Sequence, residues 1–371
     1  MKYSLNQLIE QYTDKNNDNL YEPVAVGKYG IRKRTDIYMK ELSDDYSRNK
    51  VIYKDTMTIG MGSKQIDFGV LLEDSTYSVS PAYTTFKINT SIICSEYLDL
   101  FLEKNNSYYT QKYMIASARQ GKKVDIANLL NEEIDVPTVD KQMEVIKNIS
   151  IIKSAKEKDV FLLQLMDELV KTRFYELFGD PLHPKRFKKL GEIALLERGR
   201  FSPRPRNDPK YFNGDYPFIQ TGDISSSNHR LTDYKQTLNE LGIKVSKKFG
   251  IGTIVMAIVG ATIGATAILE REVYAPDSVI GITPYTYNNV FLETLLQFWK
   301  SELLANAPEC ARPNINLSIL SEVPIIEANI EVQNSFAEIV KEVDKSKLAV
   351  QKRIELYEEL LNKKMSEYFI Y

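Results

Sequence analysis

Residues 168–178, "ELVKTRFYELF", and residues 359–369, "ELLNKKMSEYF", write one pattern twice, 191 residues apart in a chain of 371. Extended upstream in the same register, Gln142 meets Gln333. Val145, Ile149, Ile152, Leu163, Met166, Val170 and Leu177 then match Phe336, Val340, Val343, Ile354, Tyr357, Leu361 and Tyr368. The apolar positions step alternately by four and three, which is the seam of a helix that pairs with another helix. The interruptions recur too: Lys156 stands against Lys347 and Arg173 against Lys364, while Asp159 against Val350 disagrees. Two unrelated amphipathic helices would not share their polar breaks. The flanks also look alike, with Val136-Pro137 before the first copy and Val323-Pro324 before the second. On that alignment the second copy has four extra residues between Pro and Gln.

Each copy predicts a helix of about 40 residues, about 60 Å long at 1.5 Å per residue. A seam of that length needs a partner. Gly179 suits a left-handed cap and Pro181 forbids continuation, so the first helix stops there. The domain plan is a globular region at 1–136, a spacer helix at 137–180, a second globular region at 181–324 and a second spacer helix at 325–371. If the two seams pack on one another, the path is out and back. The fold class is then α+β: two globular α/β domains separated by two long antiparallel helices, with an internal pseudo-twofold repeat. The alternative is that each seam pairs with another chain.

Composition excludes several classes. Net charge is −2, so any affinity for nucleic acid must come from local charge. Cys94 and Cys310 lie outside any CxxC, and the two histidines, His183 and His229, do not suggest a metal site. The opening "MKYSLNQLIEQY" has no apolar run of signal-peptide length, which predicts a cytoplasmic protein. Residues 251–269, "IGTIVMAIVGATIGATAIL", are uncharged and long enough for a membrane span. Their three glycines, three threonines and many β-branched residues instead predict two buried strands joined near Gly260–Gly264.

The globular halves read as mixed α/β in similar order. In the second, "YPFIQTGDI" (216–224) predicts a strand ending in a glycine turn, and 290–307 predicts a helix carrying Trp299 as core. In the first, "VIYKDTMTIG" and "FGVLL" are strand-like and 95–105 is helical. Residues 77–88 stand where 274–285 stand in the second half. Each half closes on a small-residue–Ala–Arg element, at Arg119 and at Arg312.

Local charge singles out two loops. Residues 184–210 hold nine basic side chains against three acidic ones, and "GRFSPRPR" mixes Arg with Phe and Pro. "GKYGIRKR" (27–34) gathers Lys28, Arg32, Lys33 and Arg34 around Tyr29. Such loops suit phosphate contact. "QTGDISSSNHR" (220–230) is rich in side chains able to read base edges, though polar turns share that composition.

With these features together, the chain resembles the specificity subunit of type I restriction–modification systems. The likeness rests on "FKKLGEI" (187–193), "GDYPFIQTGDI" (214–224), "GTIVMAIVGATIG" (252–264), "ARPNINLSILSEVPI" (311–325) and the Pro-to-Gln opening of each long helix. Phe187 stands where tryptophan is common, and Arg312 where glutamine is frequent. The first domain departs, lacking a clear "LG-x-I" opening and "G-x-I" strand. The resemblance implies two target-recognition domains reading the halves of a split double-stranded DNA target, held apart by the antiparallel helices. A rod of that length is a workable ruler against a DNA turn of about 34–36 Å. It implies no chemistry in this chain. Two methyltransferase subunits would bring S-adenosylmethionine, and restriction subunits using ATP and Mg would join for cleavage. Helix faces left free by the seam would be the docking surface.

The site residues expected on this reading are Arg200, Arg204, Arg206 and Lys210 for the phosphate backbone of the second domain, with Gln220, Asp223, Asn228 and Arg312 reading or flanking bases. In the first domain they are Arg32, Lys33, Arg34 and Arg119. Other functions compete. A self-contained amino-methyltransferase would show an Asn/Asp-Pro-Pro-aromatic motif, and the chain has no Pro-Pro. No GxxxxGK[ST] loop is present, since "GMGSK" (60–64) lacks the spacing. A coiled-coil scaffold without DNA, or the specificity subunit of a related methyltransferase-only defence system, remains as the alternative.

Overall fold

The computed structural model describes residues 1–27, 30–37, 43, 45–117, 121–305 and 315–369. The chain forms two compact units, Met1–Val160 with Gln351–Tyr371 and Phe161–Val350. The division runs through both long helices, Val139–Phe178 and Ile330–Tyr368, so each unit holds half of each.

The first unit opens with Lys2–Ser4 paired antiparallel to Glu133–Asp135, then the helical turn Leu5–Leu8. A four-stranded antiparallel sheet follows, in the order Ile9–Tyr12, Thr84–Ile88, Thr56–Met61, Ile66–Leu71. Helix Ser95–Tyr113 packs on it through Leu98, Phe101 and Tyr109. The second unit repeats the plan. Phe187–Lys189 pairs with Pro324–Ile326, the turn Leu190–Ile193 follows, and the sheet runs Ala194–Arg198, Val279–Pro284, Ile254–Ala257, Thr266–Leu269. Arg230–Leu231 adds a short parallel strand at its edge, and helix Asn289–Phe298 takes the place of Ser95–Tyr113.

The repeat is more complete than the sequence suggests. The first domain does have its opening: Leu5–Leu8, "LNQL", matches Leu190–Ile193, "LGEI". Both turns are capped alike, Ser4 N–H donating to Gln7 Oε1 and Lys189 N–H to Glu192 Oε2, each at 2.9 Å. The glycine is local to the second unit, because a Cβ on Gly191 would lie 2.9 Å from Ser321 Cβ. The "G-x-I" strand is present as well. Gly252 (φ +80°) and Asp55 (φ +62°) both turn left-handed, and their N–H groups donate to Leu269 and Leu71 carbonyls at 2.8 and 2.9 Å. Asp is among the few non-glycine residues that accept this conformation, and Asp55 Oδ1 also accepts from Ser95 Oγ at 2.6 Å.

The flanking alignment on proline is corrected. Leu5 N–H donates to Glu132 O and Leu190 N–H to Val323 O, both at 2.9 Å. Val323-Pro324 therefore matches Glu132-Glu133, the 191-residue spacing holds without interruption, and there is no insertion. Gln142 and Gln333 are buried and do the same job. Gln142 Oε1 accepts from the N–H of Cys94, at the start of helix Ser95–Tyr113, at 2.7 Å. Its Nε2 donates to Ile92 O and Pro137 O at 2.9 Å. Gln333 Oε1 accepts from Asn288 N–H, which caps Asn289–Phe298, and its Nε2 donates to Ala328 O, both at 2.9 Å. One buried amide thus fixes the start of each sheet-packed helix to the start of a long helix.

Within each unit the long-helix segments run antiparallel. In the first, Asn148 meets Tyr368 at 3.1 Å, Lys156 meets Glu358 at 2.7 Å, and Asp159 takes two bonds from Arg353 at 2.6 and 2.8 Å. In the second, Lys347 bonds Asp167 and the Phe174 ring lies 5.5 Å from Phe336. The Lys156–Glu358 and Lys347–Asp167 pairs are repeat copies of one another. The Asp159–Arg353 pair has no copy, because Val350 and Leu162 stand at the matching places. The expected seam position Leu177 is 38% exposed, and Phe174 with Phe178 turns inward instead.

The duplicated C-terminal stretch of each long helix closes the core of its unit. Phe178 packs at 4.6 Å on Phe291 of helix Asn289–Phe298, and Phe369 packs at 5.1 Å on Tyr97 of helix Ser95–Tyr113. The first long helix stops as the sequence predicts, with Gly179 at φ +82° donating to Tyr175 O. Residues 251–269 form the buried strand pair Ile254–Ala257 and Thr266–Leu269, and no described helix is long and apolar enough to cross a membrane. Two local expectations change. The strand Phe212–Phe218 ends before a helical turn, Thr221–Ser226, and Trp299 interrupts the predicted helix as a half-buried hinge between Asn289–Phe298 and Lys300–Ala305.

Candidate nucleic-acid interface

The basic loop of the second unit is built on apolar anchors. Phe201 is buried among Phe212, Phe218 and Tyr211, with ring centroids at 5.7, 5.2 and 6.0 Å, and Pro203 is buried beside it. A Cβ on Gly199 would strike Pro276 O at 2.2 Å, and Arg200 N–H donates to Ala275 O at 3.0 Å. Alternation of anchor and cation leaves Arg200, Arg204 and Arg206 exposed. Arg204 Nη1 donates back to the carbonyls of Phe201, Ser202 and Pro203 at 3.2, 3.4 and 2.8 Å. Arg206 pairs with Asp277 at 2.8 Å, and Lys210 pairs with Asp208 at 3.0 Å while lying over the Tyr211 ring. Exposed ion pairs of this kind are screened by water and contribute little, so both cations can trade their carboxylates for a phosphate.

Gln220 rises from the same backbone. Ile219 N–H donates to Tyr274 O at 3.0 Å, so residues 274–277 tie down both loops, and Gln220 Nε2 donates to Gln236 Oε1 at 2.6 Å. Asp223 does not face outward. It is buried, and its Oδ2 accepts from Gln220 N–H at 2.8 Å, so it shapes the turn that displays Gln220. Asn228 is exposed, with φ +45°, at the rim of a depression of about 240 Å³ that also takes in Asp223, Arg230, Tyr234 and Lys235. Arg312 and Arg119 lie outside the described residues.

In the first unit Arg32 and Lys33 occupy the strand Gly30–Lys33, paired antiparallel with Val24–Gly27. Lys33 bonds Glu22 at 3.3 Å and lies over Tyr77, and Arg34 lies 5.5 Å from the Tyr46 ring. This hairpin leaves the fold where 222–230 leave it in the second unit. Pro23 bridges Ser78 in parallel, as Phe218 bridges Tyr274, and the strands Tyr77–Val79 and Val273–Ala275 match. A basic hairpin in one unit and a polar turn in the other therefore stand at equivalent places.

Sequence reasoning passed over two features. A second hairpin, Met114–Ser117 with Gly121–Val124, carries Lys122 and Lys123 exposed, and the pair of lysines directly after Gly121 is its signal in the sequence. His229 is the other, since it contacts a buried carboxylate on Glu293, 64 residues away.

Two matched α/β domains, each sharing in a pair of long helices, make a protein of duplicated design, with a basic hairpin leaving the first unit where a polar turn leaves the second. Residues 184–360 match the family model of the type I restriction modification DNA specificity domain. The S subunit of a type I restriction–modification system from M. genitalium is similar in fold at 14% identity and a TM-score of 0.58, covering 98% of this chain and 95% of that one. A structure described as the basis of complex assembly and conformational transition of the type I R-M system is similar at 16% identity and a TM-score of 0.61, covering 100% and 97%. Residues 184–360 therefore carry a DNA specificity domain of the type I restriction modification family, and the whole chain shares the fold of the S subunit it resembles.

Proposed function

We propose that the chain reads a two-part DNA target, one part with each unit. The observation that carries this is the repeat itself: matching frameworks display different chemistry at one equivalent exit point, the basic strand Gly30–Lys33 in one unit and the polar stretch 222–230 in the other. In the second unit Arg200, Arg204, Arg206 and Lys210 hold the phosphate backbone, Gln220, Asn228 and Arg312 read or flank bases, and Asp223 positions Gln220. In the first unit Arg32, Lys33, Arg34 and Arg119 serve, joined by Lys122 and Lys123.

Two methyltransferase subunits dock on the long helices. In support, Phe161, Leu165 and Leu169 of the first long helix stand at four-residue steps in the second unit and are 59%, 49% and 48% exposed. S-adenosylmethionine, and ATP with Mg for cleavage, belong to the methyltransferase and restriction subunits. The test is equilibrium binding of the complex reconstituted with methyltransferase subunits, across a salt series. Arg204→Ala with Arg206→Ala weakens binding to every duplex, and the slope of log K against log salt becomes shallower by about 0.9 for each phosphate no longer neutralised. Unchanged affinity and slope would remove both arginines from the interface.

A further inference from the structure

Glu293 is an unusual residue for its place. It sits in helix Asn289–Phe298 among Val290, Phe291, Leu292, Leu295 and Leu296, all buried, and its own side chain is 3% exposed. A carboxylate there must be hydrogen-bonded or it destabilises the fold. Thr266 Oγ1 donates to Oε1 at 2.8 Å, and Gln297 Nε2 approaches both oxygens at 2.7 Å. The remaining contact leaves the core. His229 Nδ1 lies 3.3 Å from Glu293 Oε1 and also meets Gln297 Nε2.

His229 belongs to the turn that presents Asn228. Both residues are left-handed without being glycine, at φ +75° and +45°, a conformation that persists only where the surroundings hold it. On the far side Arg230 is clamped by Asp344 at 3.0 Å and Glu270 at 2.6 Å. The backbone is held too, with Ile268 N–H donating to His229 O at 2.8 Å. Asn228 is thus the exposed tip of a strained turn whose next two side chains are gripped from behind.

We propose that Glu293, with Gln297, is a positioning residue for base recognition, holding through His229 the turn that displays Asn228 to DNA. This rests on the reading of Asn228 as a base contact. The acid touches no DNA and acts only through the histidine. The charged groups that face His229 are Glu293 from its helix, Asp344 and Lys347 from the second long helix, and Asp167, Lys171 and Lys300 around the same cleft of about 420 Å³. Burial works against the charged ring, but the Glu293 hydrogen bond and attraction outweigh it, aided by Asp344 and opposed by Lys347, and the histidine is raised above its ordinary value of 6.5. A raised value means that the charged ring is favoured in the folded turn. The latch is therefore fully made below about pH 6.5 and loosens as pH rises through the folded value.

The experiment uses the full chain assembled with methyltransferase subunits. The probes are a duplex carrying the motif that the complex methylates in its host, the same duplex with the half read by the second unit scrambled, and a random duplex. The wild-type complex should lose affinity for the cognate duplex as pH rises above 6.5, with the random duplex unaffected. Glu293→Gln and His229→Gln should each flatten that pH profile and cut discrimination against the scrambled half about tenfold, leaving random-duplex binding in place. Equal loss on all three duplexes, or a lower melting temperature with the pH profile intact, makes Glu293 an ordinary core residue and overturns the proposal. Asn228→Ala separates the two levels. If it abolishes the same discrimination while Glu293→Gln and His229→Gln do not, the positioning role alone fails. If Asn228→Ala changes nothing, the underlying reading fails with it.

Discussion

Replacing Gln142 with Ala isolates the joint between the first α/β domain and its long helix. The side chain is fully buried and makes three hydrogen bonds, one of them to the Cys94 N–H that begins helix Ser95–Tyr113. Each such bond contributes about 1 kcal/mol net, and an orphaned buried donor costs about 1–3 kcal/mol. The expected loss is about 2–4 kcal/mol, a large share of the roughly 5–15 kcal/mol that holds a domain together. Gln333→Ala removes two bonds at the matching joint and should cost slightly less, about 2–3 kcal/mol. Because a chain of two units need not unfold in one step, the assay is native-state hydrogen exchange resolved by peptide. Gln142→Ala should lower protection in 95–113 and spare 289–298, and Gln333→Ala should do the reverse. Gln142→Met keeps the volume and loses the bonds, so it separates polar from packing contributions. A loss below about 0.5 kcal/mol at both joints, or exchange that rises equally in both helices after either change, would refute the reasoning.

Two further outcomes follow from the helix pair. Phe174→Ala and Phe369→Ala each empty a fully packed aromatic site and should cost about 3–5 kcal/mol, the first loosening 289–298 and the second 95–113, as exchange would read. The Asp159–Arg353 pair should show charge-swap behaviour: Asp159→Arg lowers the melting midpoint, and adding Arg353→Asp recovers most of it, measured by calorimetry.

The long helices were legible because a seam of period 3.5 leaves its mark on every turn, and because the repeat supplied an internal copy to compare. What escaped notice was chemistry that meets one backbone need with different residues. Asp55 fills the left-handed position that Gly252 fills in the second unit, and Asn6 stands at the place of Gly191, so a search for glycine found neither element. Proline misled for the opposite reason, since Pro137 and Pro324 occupy different points of the fold. The basic loops could be read from composition, but their state could not. Arg206 finds Asp277 and His229 finds Glu293 across more than 60 residues of chain, and Asp223 spends its carboxylate inside the turn that it was expected to project from.

The most direct measurement replaces residues 187–326, from the first strand of the second α/β domain to its last, with the matching segment of a relative that has a different target, and maps methylated bases across the host genome. One half of the methylated motif should change while the other half is retained. A motif altered in both halves, or left unaltered, would contradict the assignment of one half to each unit.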